Sequence, residues 1–202
     1  IILSTAAQQY GGFTVPEVDK ILAPYAKKSY DKYISEFMKY SDESWKGREE
    51  KAIEYALDKV RREYDQGWQG IEYKLNTVGS SRGDYPFVTV TLGLGTEQFE
   101  KMCTVSLLKV HQGGQGKTGH KKPVLFPKIV FLYDKEIHGP GKCCEDIFEA
   151  GVECSSKTMY PDWLSMSGAG YISSMYKKYK KVISPMGCRA FLSPWYERGG
   201  ME

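Results

Sequence analysis

The sequence has little of what several classes of protein require. It carries five cysteines, an odd number, whereas small secreted domains generally pair an even number as disulfides, so we expect reduced thiols in a cytoplasmic protein. No run of about 18 apolar residues occurs, which predicts no transmembrane helix. The net charge is only +3. Such a small excess predicts no basic surface for binding a nucleic acid.

Motifs of hydrolases, metal sites and ATPases are missing or incomplete. No Gly-x-Ser-x-Gly motif nominates a hydrolase serine. No Cys-x-x-Cys pair occurs, the side chains of adjacent Cys143 and Cys144 are expected to diverge, and the three histidines are scattered, so we expect no metal site. Residues 113–118 resemble the end of a P-loop, but His111 replaces its first glycine. A flexible glycine-rich connection is the better interpretation.

What the sequence does contain is an ordinary globular composition. Hydrophobic residues make up 41% and charged residues 26% of a chain with the length of one large domain. Strand patterns are predicted over 1–7, 87–92 and 124–132, the last interrupted by Pro127, which implies a bulge or an edge strand. Because such strands alternate with helical patterns and no repeat is present, the predicted fold class is α/β.

The helical patterns concentrate in residues 16–76. Pro16 begins a pattern that Pro24 should kink or end, and a second helix is predicted over 27–40. A longer helix is predicted over 44–75. Its apolar stripe consists of Ile53, Ala56, Leu57, Val60 and Tyr64. The charged residues between them predict a solvated face, and a subunit contact or an effector-binding face is the functional alternative.

Two further helices are predicted, over 96–107 and 145–155. Thr96 is the predicted N-cap of the first, directly after the run Gly93-Leu94-Gly95. Backbone N–H groups at such a helix start can face an anion. A purely structural turn is the simpler interpretation of this run.

Cys188 lies in a constrained context, between Gly187 and Arg189 and shortly after Pro185. Tight loops with proline and glycine can project one side chain into a cavity. Free cysteine is also among the most frequently buried residues. Composition alone therefore favours a structural role for Cys188.

Three linked runs change that interpretation. They are Phe126-Pro127-Lys128-Ile129-Val130-Phe131, then Glu153-Cys154-Ser155-Ser156-Lys157-Thr158-Met159-Tyr160-Pro161-Asp162, and finally Ser184-Pro185-Met186-Gly187-Cys188-Arg189-Ala190-Phe191-Leu192. In order and spacing the chain resembles the large subunit of anaerobic (class III, glycyl-radical) ribonucleoside-triphosphate reductases. Residues 8–12 and 87–96 match more weakly, and residues 27–80 carry no recognisable motif.

The resemblance implies a fold. Members of the family have a ten-stranded α/β barrel made of two five-stranded halves, with a finger loop through its centre. This chain is then expected to supply the first half-barrel and the finger loop, as one partial domain over 1–202. The resemblance suggests that the helical region 16–76 forms the homodimer contact and the site for dNTP or ATP effectors.

The resemblance also implies chemistry, with Cys188 as the catalytic residue. In the family a glycyl radical, installed by an iron–sulfur, S-adenosylmethionine-dependent activase, oxidises the finger-loop cysteine to a thiyl radical. That radical abstracts the 3′ hydrogen of the ribonucleotide, and formate supplies the reducing equivalents. Substrate contacts are expected at Ser184, Met186, Gly187, Gly11 and Gly12. Cys154 is expected to be structural.

Other family features are expected outside this chain. They are a second active-site cysteine upstream and, downstream, the glycyl-radical motif and a zinc site, so this segment is expected to bind no cofactor and to be inactive alone. The alternative is a non-catalytic or split-gene fragment that binds nucleotides only with a partner chain. Another glycyl-radical enzyme is disfavoured by the run Pro185-Met186-Gly187-Cys188-Arg189.

Overall fold

The computed structural model describes residues 2–6, 8, 12–77, 87–187 and 190–191. The helices are α1 (Ile2–Ala6), α2 (Val18–Tyr40), α3 (Arg48–Thr77), α4 (Gln98–Gly113), α5 (Lys135–His138), α6 (Glu145–Thr158) and α7 (Tyr171–Tyr179). The strands are β1 (Phe13–Val15), β2 (Val88–Leu92), β3 (Lys128–Tyr133), β4 (Asp162–Ser165), β5 (Pro185–Met186) and β6 (Ala190–Phe191). These alternating helices and strands confirm the predicted α/β class.

The central sheet is parallel, with β1, β2, β3 and β4 in sequential order. Its register places Val90 between Val15 and Ile129. Parallel strands need crossover connections, which α2 and α3, α4, and α5 and α6 provide. When each strand is added next to the previous one in the same direction, right-handed crossovers all lie on the same face of the sheet. These helices therefore cover one face.

Strand alternation gives the sheet two different faces. Toward the helices, Val90, Leu92, Ile129 and Phe131 join one core with side chains of α2, α3, α4 and α6. On the opposite face a smaller cluster contains Leu94, Val130, Leu132 and Met166, packed against α7. On β2 this opposite face carries Thr89 and Thr91, which alternate along the strand with the residues that face the helices. This opposite face is where the candidate site lies.

Helix α2 continues through Pro24, so the predicted helix end there and the separate helix over 27–40 are wrong. Proline removes one i→i−4 hydrogen bond and normally costs about 3 kcal/mol within a helix. Packing of α2 against α3 and α4 outweighs that cost, because Val18 and Ala26 are buried in the shared core. None of the described helices is both long enough and apolar enough to cross a membrane.

Helix α3 confirms the predicted long helix, but its buried stripe differs in part. Ala56, Val60 and Tyr64 are buried as predicted. Ile53 is 45% exposed. The stripe continues instead through Trp68, because this face of α3 packs against α2 and α4.

Three local expectations are wrong. The strand predicted over 1–7 is replaced in part by helix α1, because a short apolar run cannot distinguish the two by periodicity. The N-cap of α4 is Glu97 rather than Thr96, in a capping box with Glu100. Pro127 lies before β3, which is an interior strand, so no bulge or edge is needed to accommodate it.

Candidate active site

Residues 184–187, called here the 184–187 segment, lie against the sheet face that points away from the helical layer. The Thr14 hydroxyl donates to the carbonyl oxygen of Pro185 at 2.9 Å. The backbone N–H of Gly187 donates to the Thr89 hydroxyl at 3.0 Å, in a buried position. Because Thr14 and Thr89 are register partners in adjacent strands, one row of the sheet holds both Pro185 and Gly187.

A third threonine holds the beginning of the segment. The hydroxyl oxygens of Thr91 and Ser184 are 3.1 Å apart. Thr91 also accepts a hydrogen bond from the backbone N–H of Glu17 at 2.9 Å. A hydroxyl has one proton to donate and two lone pairs that accept, so Thr91 can bond to Glu17 and to Ser184 at the same time. The segment is thereby connected to the start of α2.

Four of the six predicted site residues come together here. A Cβ atom on Gly12 would lie 3.2 Å from Cγ of Met186, and one on Gly187 would lie 2.9 Å from Cε1 of Phe87. Gly187 has φ +69°, a left-handed conformation that favours glycine. Ser184 precedes this contact on the same segment. Gly12, Met186 and Gly187 are thus packed together beside Phe87, and Ser184 begins the same segment.

The other two predicted site residues, Cys188 and Gly11, lie outside the described residues. Cys188 follows Gly187 directly in the chain. Strand β5 pairs antiparallel with β6 through Pro185 with Phe191 and Met186 with Ala190, which brackets Cys188 within the short connection between the two strands.

Sequence reasoning missed the three threonines that support the segment. Thr89 and Thr91 occupy every second position of β2, and both are fully buried. The signal was available, because a strand that alternates valine and threonine presents a hydroxyl-bearing face opposite its apolar face. Thr14, Thr89 and Thr91 are called here the threonine face.

Two charged side chains extend this face. Lys128 is the register partner of Thr89, and Asp162 is the register partner of Val130 on the next strand. Their Nζ and Oδ2 atoms are 3.6 Å apart. The Lys128 ammonium also lies 5.3 Å from the ring centroid of Tyr160. Lys128 and Asp162 therefore add charged groups to this face of the sheet, next to the apolar cluster that contains Val130 and Leu132.

The run Gly93-Leu94-Gly95 forms a structural turn rather than a free anion site. Asp19 Oδ2 accepts hydrogen bonds from the N–H groups of Gly93 at 2.9 Å and Gly95 at 3.1 Å. These two amides are thereby occupied. Burial raises the pKa of the Asp19 carboxyl above its usual value, although the same N–H donors oppose that shift.

The carbonyl groups of this turn are bound as well. Nε2 of His138 lies 2.8 Å from the oxygen of Gly93, while Nδ1 accepts from the N–H of Asp134 at 2.9 Å. The second contact makes Nε2 the protonated nitrogen of a neutral ring. Burial lowers the pKa of His138 and keeps it neutral. Cys144 Sγ donates to the oxygen of Gly95 at 3.7 Å.

Among the described cysteines, Cys103, Cys144 and Cys154 are buried and Cys143 is exposed. The expectation that Cys143 and Cys144 diverge is wrong, because their sulfur atoms are 3.7 Å apart at the start of α6. Burial raises the pKa of Cys144 to about 12. Within the described ranges, no group of three or more His, Cys, Asp or Glu side chains is arranged to hold a metal ion.

Comparison with known proteins identifies the family. The family model for anaerobic ribonucleoside-triphosphate reductase matches residues 1–202. The chain belongs to the anaerobic ribonucleoside-triphosphate reductase family. It is 36% identical to the anaerobic ribonucleoside-triphosphate reductase of Enterobacteria phage T4, over all of this chain and 31% of the relative. It is 35% identical to that of Haemophilus influenzae and 34% identical to that of Escherichia coli.

These relatives are much longer than the chain. It spans 26% of the Haemophilus influenzae and Escherichia coli reductases and 31% of the phage T4 reductase. The predicted membership of the reductase family is confirmed by both kinds of comparison. The residues that match the reductase family include the 184–187 segment and the threonine face that supports it.

Proposed function

We propose that the protein containing this chain reduces ribonucleoside triphosphates to deoxyribonucleotides for DNA synthesis under anaerobic conditions, in the cytoplasm. Membership of the reductase family supports this activity. The structural observation that carries the proposal is the attachment of the 184–187 segment to the threonine face, with Gly12 beside it. These contacts fix the segment up to Gly187, which directly precedes Cys188 in the chain.

In this proposal Cys188 is the catalytic residue. Its thiyl radical takes the 3′ hydrogen of the ribose, so an S–H bond forms as the 3′ C–H bond breaks and the unpaired electron passes to carbon. Ser184, Met186, Gly187, Gly11 and Gly12 contact the substrate. A radical of this kind requires a site that excludes water and oxygen. Burial of Pro185 and Gly187 against the sheet is consistent with that requirement.

The ten-stranded barrel is also a proposal. The described parallel strands follow one another in sequential order, with the large helices on one face and the 184–187 segment on the other. This is the arrangement expected for part of a barrel wound in one direction around a central loop. Further strands of the intact protein would continue the sheet at its edge strands, β1 and β4.

We further propose that α2 and α3 form the homodimer contact and the region for dNTP or ATP effectors. Both helices expose large apolar side chains, among them Tyr25 at 65%, Ile21 at 47% and Ile53 at 45%. A groove of about 260 Å³ lies between the two helices, with Trp68 in its lining. Exposed apolar surface of this kind is typical of interaction sites.

Other components of the reaction belong to other parts of the system. The glycyl radical, the second cysteine and the zinc site are proposed for segments of the intact protein beyond this chain. A radical S-adenosylmethionine activase with an iron–sulfur cluster would install the radical, and formate would supply the reducing equivalents. The contribution of this chain is the supported cysteine loop and its substrate contacts.

The test uses the intact protein, activated anaerobically, with Cys188→Ser and the matched control Cys154→Ser. Cys154 is a buried cysteine that contacts Thr158 within α6, away from the 184–187 segment. We expect Cys188→Ser to acquire the glycyl radical, measured by electron paramagnetic resonance, and to form no deoxyribonucleotide. Cys154→Ser should retain turnover. Turnover by Cys188→Ser would refute the proposed function.

A further inference from the structure

The threonine face provides hydrogen-bond partners for the backbone of the 184–187 segment. The segment crosses a largely buried surface, where each backbone N–H and C=O group needs a hydrogen-bond partner. Pro185 has no N–H group, and β5 is only two residues long, so a regular ladder cannot meet this need. Threonine hydroxyls from β1 and β2 supply the missing partners.

The contacts are distributed along the segment in order. Thr91 meets the Ser184 hydroxyl, Thr14 meets the Pro185 carbonyl, and Thr89 meets the Gly187 N–H. The segment therefore runs antiparallel to β2, from the level of Thr91 to the level of Thr89. Each hydroxyl fixes a different residue, so the segment cannot slide along the strand without losing all of these contacts.

The contact at Gly187 sets the direction in which the chain leaves the segment. Its N–H is fixed by Thr89, its backbone is left-handed, and the Phe87 ring leaves no room for a Cβ atom. Phe87 is in turn held edge-on against Phe126, with ring centroids 5.3 Å apart. The last described residue before Cys188 is thus fixed by a hydrogen bond and by packing.

We propose that Thr89 is a positioning residue for the reductase reaction, which holds Gly187 so that the following cysteine meets the ribose, with Thr14 holding the segment one step earlier. This inference rests on the proposed function. Thr89 acts through the Gly187 N–H and need not touch the substrate. Removing its hydroxyl while keeping its shape leaves that buried N–H without a partner.

The experiment compares Thr89→Val, Thr89→Ser and Thr14→Val in the intact, activated protein. Thr104→Val is the matched control, because Thr104 is equally buried but lies on α4 and contacts Asp19. Displacement of a reacting group by about 1 Å can cost roughly 100-fold in rate. We expect Thr89→Val to lower kcat by roughly 10- to 100-fold, with KM and radical content per protein unchanged.

Two readouts separate positioning from mere folding. Thr89→Ser restores the hydroxyl and should restore kcat. The isotope effect with 3′-deuterated substrate should increase in Thr89→Val, because hydrogen abstraction becomes slower relative to the other steps, whereas a smaller folded fraction would leave it unchanged. Thr14→Val should change both quantities in the same direction, and Thr104→Val should change neither.

Wild-type kcat and isotope effect in both Thr89→Val and Thr14→Val would overturn the inference, as would a Thr89→Ser variant as slow as Thr89→Val. Cys188→Ser, measured in parallel, distinguishes failure of the proposed function from failure of the positioning role. If Cys188→Ser is active, the proposed function fails. If Cys188→Ser is inactive and Thr89→Val is fully active with an unchanged isotope effect, only the positioning role of Thr89 fails.

Discussion

Asp19 and His138 bind the same residue, Gly93, from two different helices. The Asp19 carboxylate accepts the Gly93 N–H at 2.9 Å, and the protonated Nε2 of His138 donates to the Gly93 oxygen at 2.8 Å. Asp19 belongs to the first turn of α2, and His138 ends α5. The turn after β2 is therefore held by two buried titratable groups. Burial raises the pKa of Asp19 and lowers the pKa of His138, so it favours the neutral form of both.

Asp19 should make the protein less stable as pH rises through its titration. Its folded pKa lies above the ordinary 3.8, so between these values the folded state binds more protons than the unfolded state. Asp19→Asn keeps an oxygen acceptor and removes the titration. We expect the stability of wild type relative to Asp19→Asn to fall as pH rises through that window, measured by urea unfolding across a pH series.

Asp19→Ala provides the comparison for that experiment, because it removes the acceptor altogether. We expect it to be destabilised by about 1–3 kcal/mol at every pH, since the Gly93 and Gly95 amides lose a buried partner. A relative stability of Asp19→Asn that does not change with pH would contradict the raised pKa.

His138 should have the opposite dependence. Burial places its folded pKa below the ordinary 6.5, so the unfolded state binds the extra proton first as pH falls. Stability contributed by the neutral ring is complete above 6.5 and is lost as pH falls from there through the folded pKa. His138→Gln keeps a donor for Gly93 without this titration and should lack the loss. An imidazole pKa above 6.5 for His138, measured by NMR titration, would contradict the prediction.

Gly187→Ala should be harmful for two separate reasons. A Cβ atom would meet Phe87 Cε1 at 2.9 Å, and φ +69° disfavours any side chain. We expect a loss of about 1–3 kcal/mol in the free energy of unfolding, measured by denaturant titration. Gly70→Ala in α3, where a Cβ atom meets nothing within 4 Å, should instead stabilise by about 0.5–1 kcal/mol. Equal effects of the two substitutions would refute the strain at Gly187.

Glu72 and His111 form a fully buried pair between α3 and α4, with Oε1 and Nδ1 2.8 Å apart. Gln115 binds the second carboxylate oxygen at 3.1 Å. We expect Glu72→Ala to lower the free energy of unfolding by about 3 kcal/mol, because it leaves buried His111 and half-buried Gln115 without this partner. Combining Glu72→Leu with His111→Leu should recover much of that loss. A Glu72→Ala variant as stable as wild type would contradict this.

The features that sequence could predict are those fixed by local pattern. The strand patterns of β2 and β3 and the helical pattern of α3 are visible in the sequence. Residues buried on one face of an element recur at the period of that element. Strands β1 and β4 were not predicted, since three or four residues carry too little periodicity. Their place is set by pairing with β2 and β3, which is a tertiary interaction.

For the candidate site, motifs identified the loop but not its support. Ser184, Met186 and Gly187 belong to a run through which the chain resembles the reductase family. Thr14 and Thr89 are 75 residues apart in the chain, and only the parallel pairing of β1 with β2 makes them neighbours. The continuity of α2 through Pro24 has the same origin, because packing against α3 and α4 decides it.

The most direct test of the substrate site is protection of Cys188 from alkylation. In the intact protein under anaerobic conditions, the alkylation rate of each cysteine is measured by mass spectrometry with and without saturating ribonucleoside triphosphate. We predict that the nucleotide slows alkylation of Cys188 and leaves exposed Cys143 unchanged. Equal alkylation of Cys188 with and without nucleotide would contradict a substrate site at the end of the 184–187 segment.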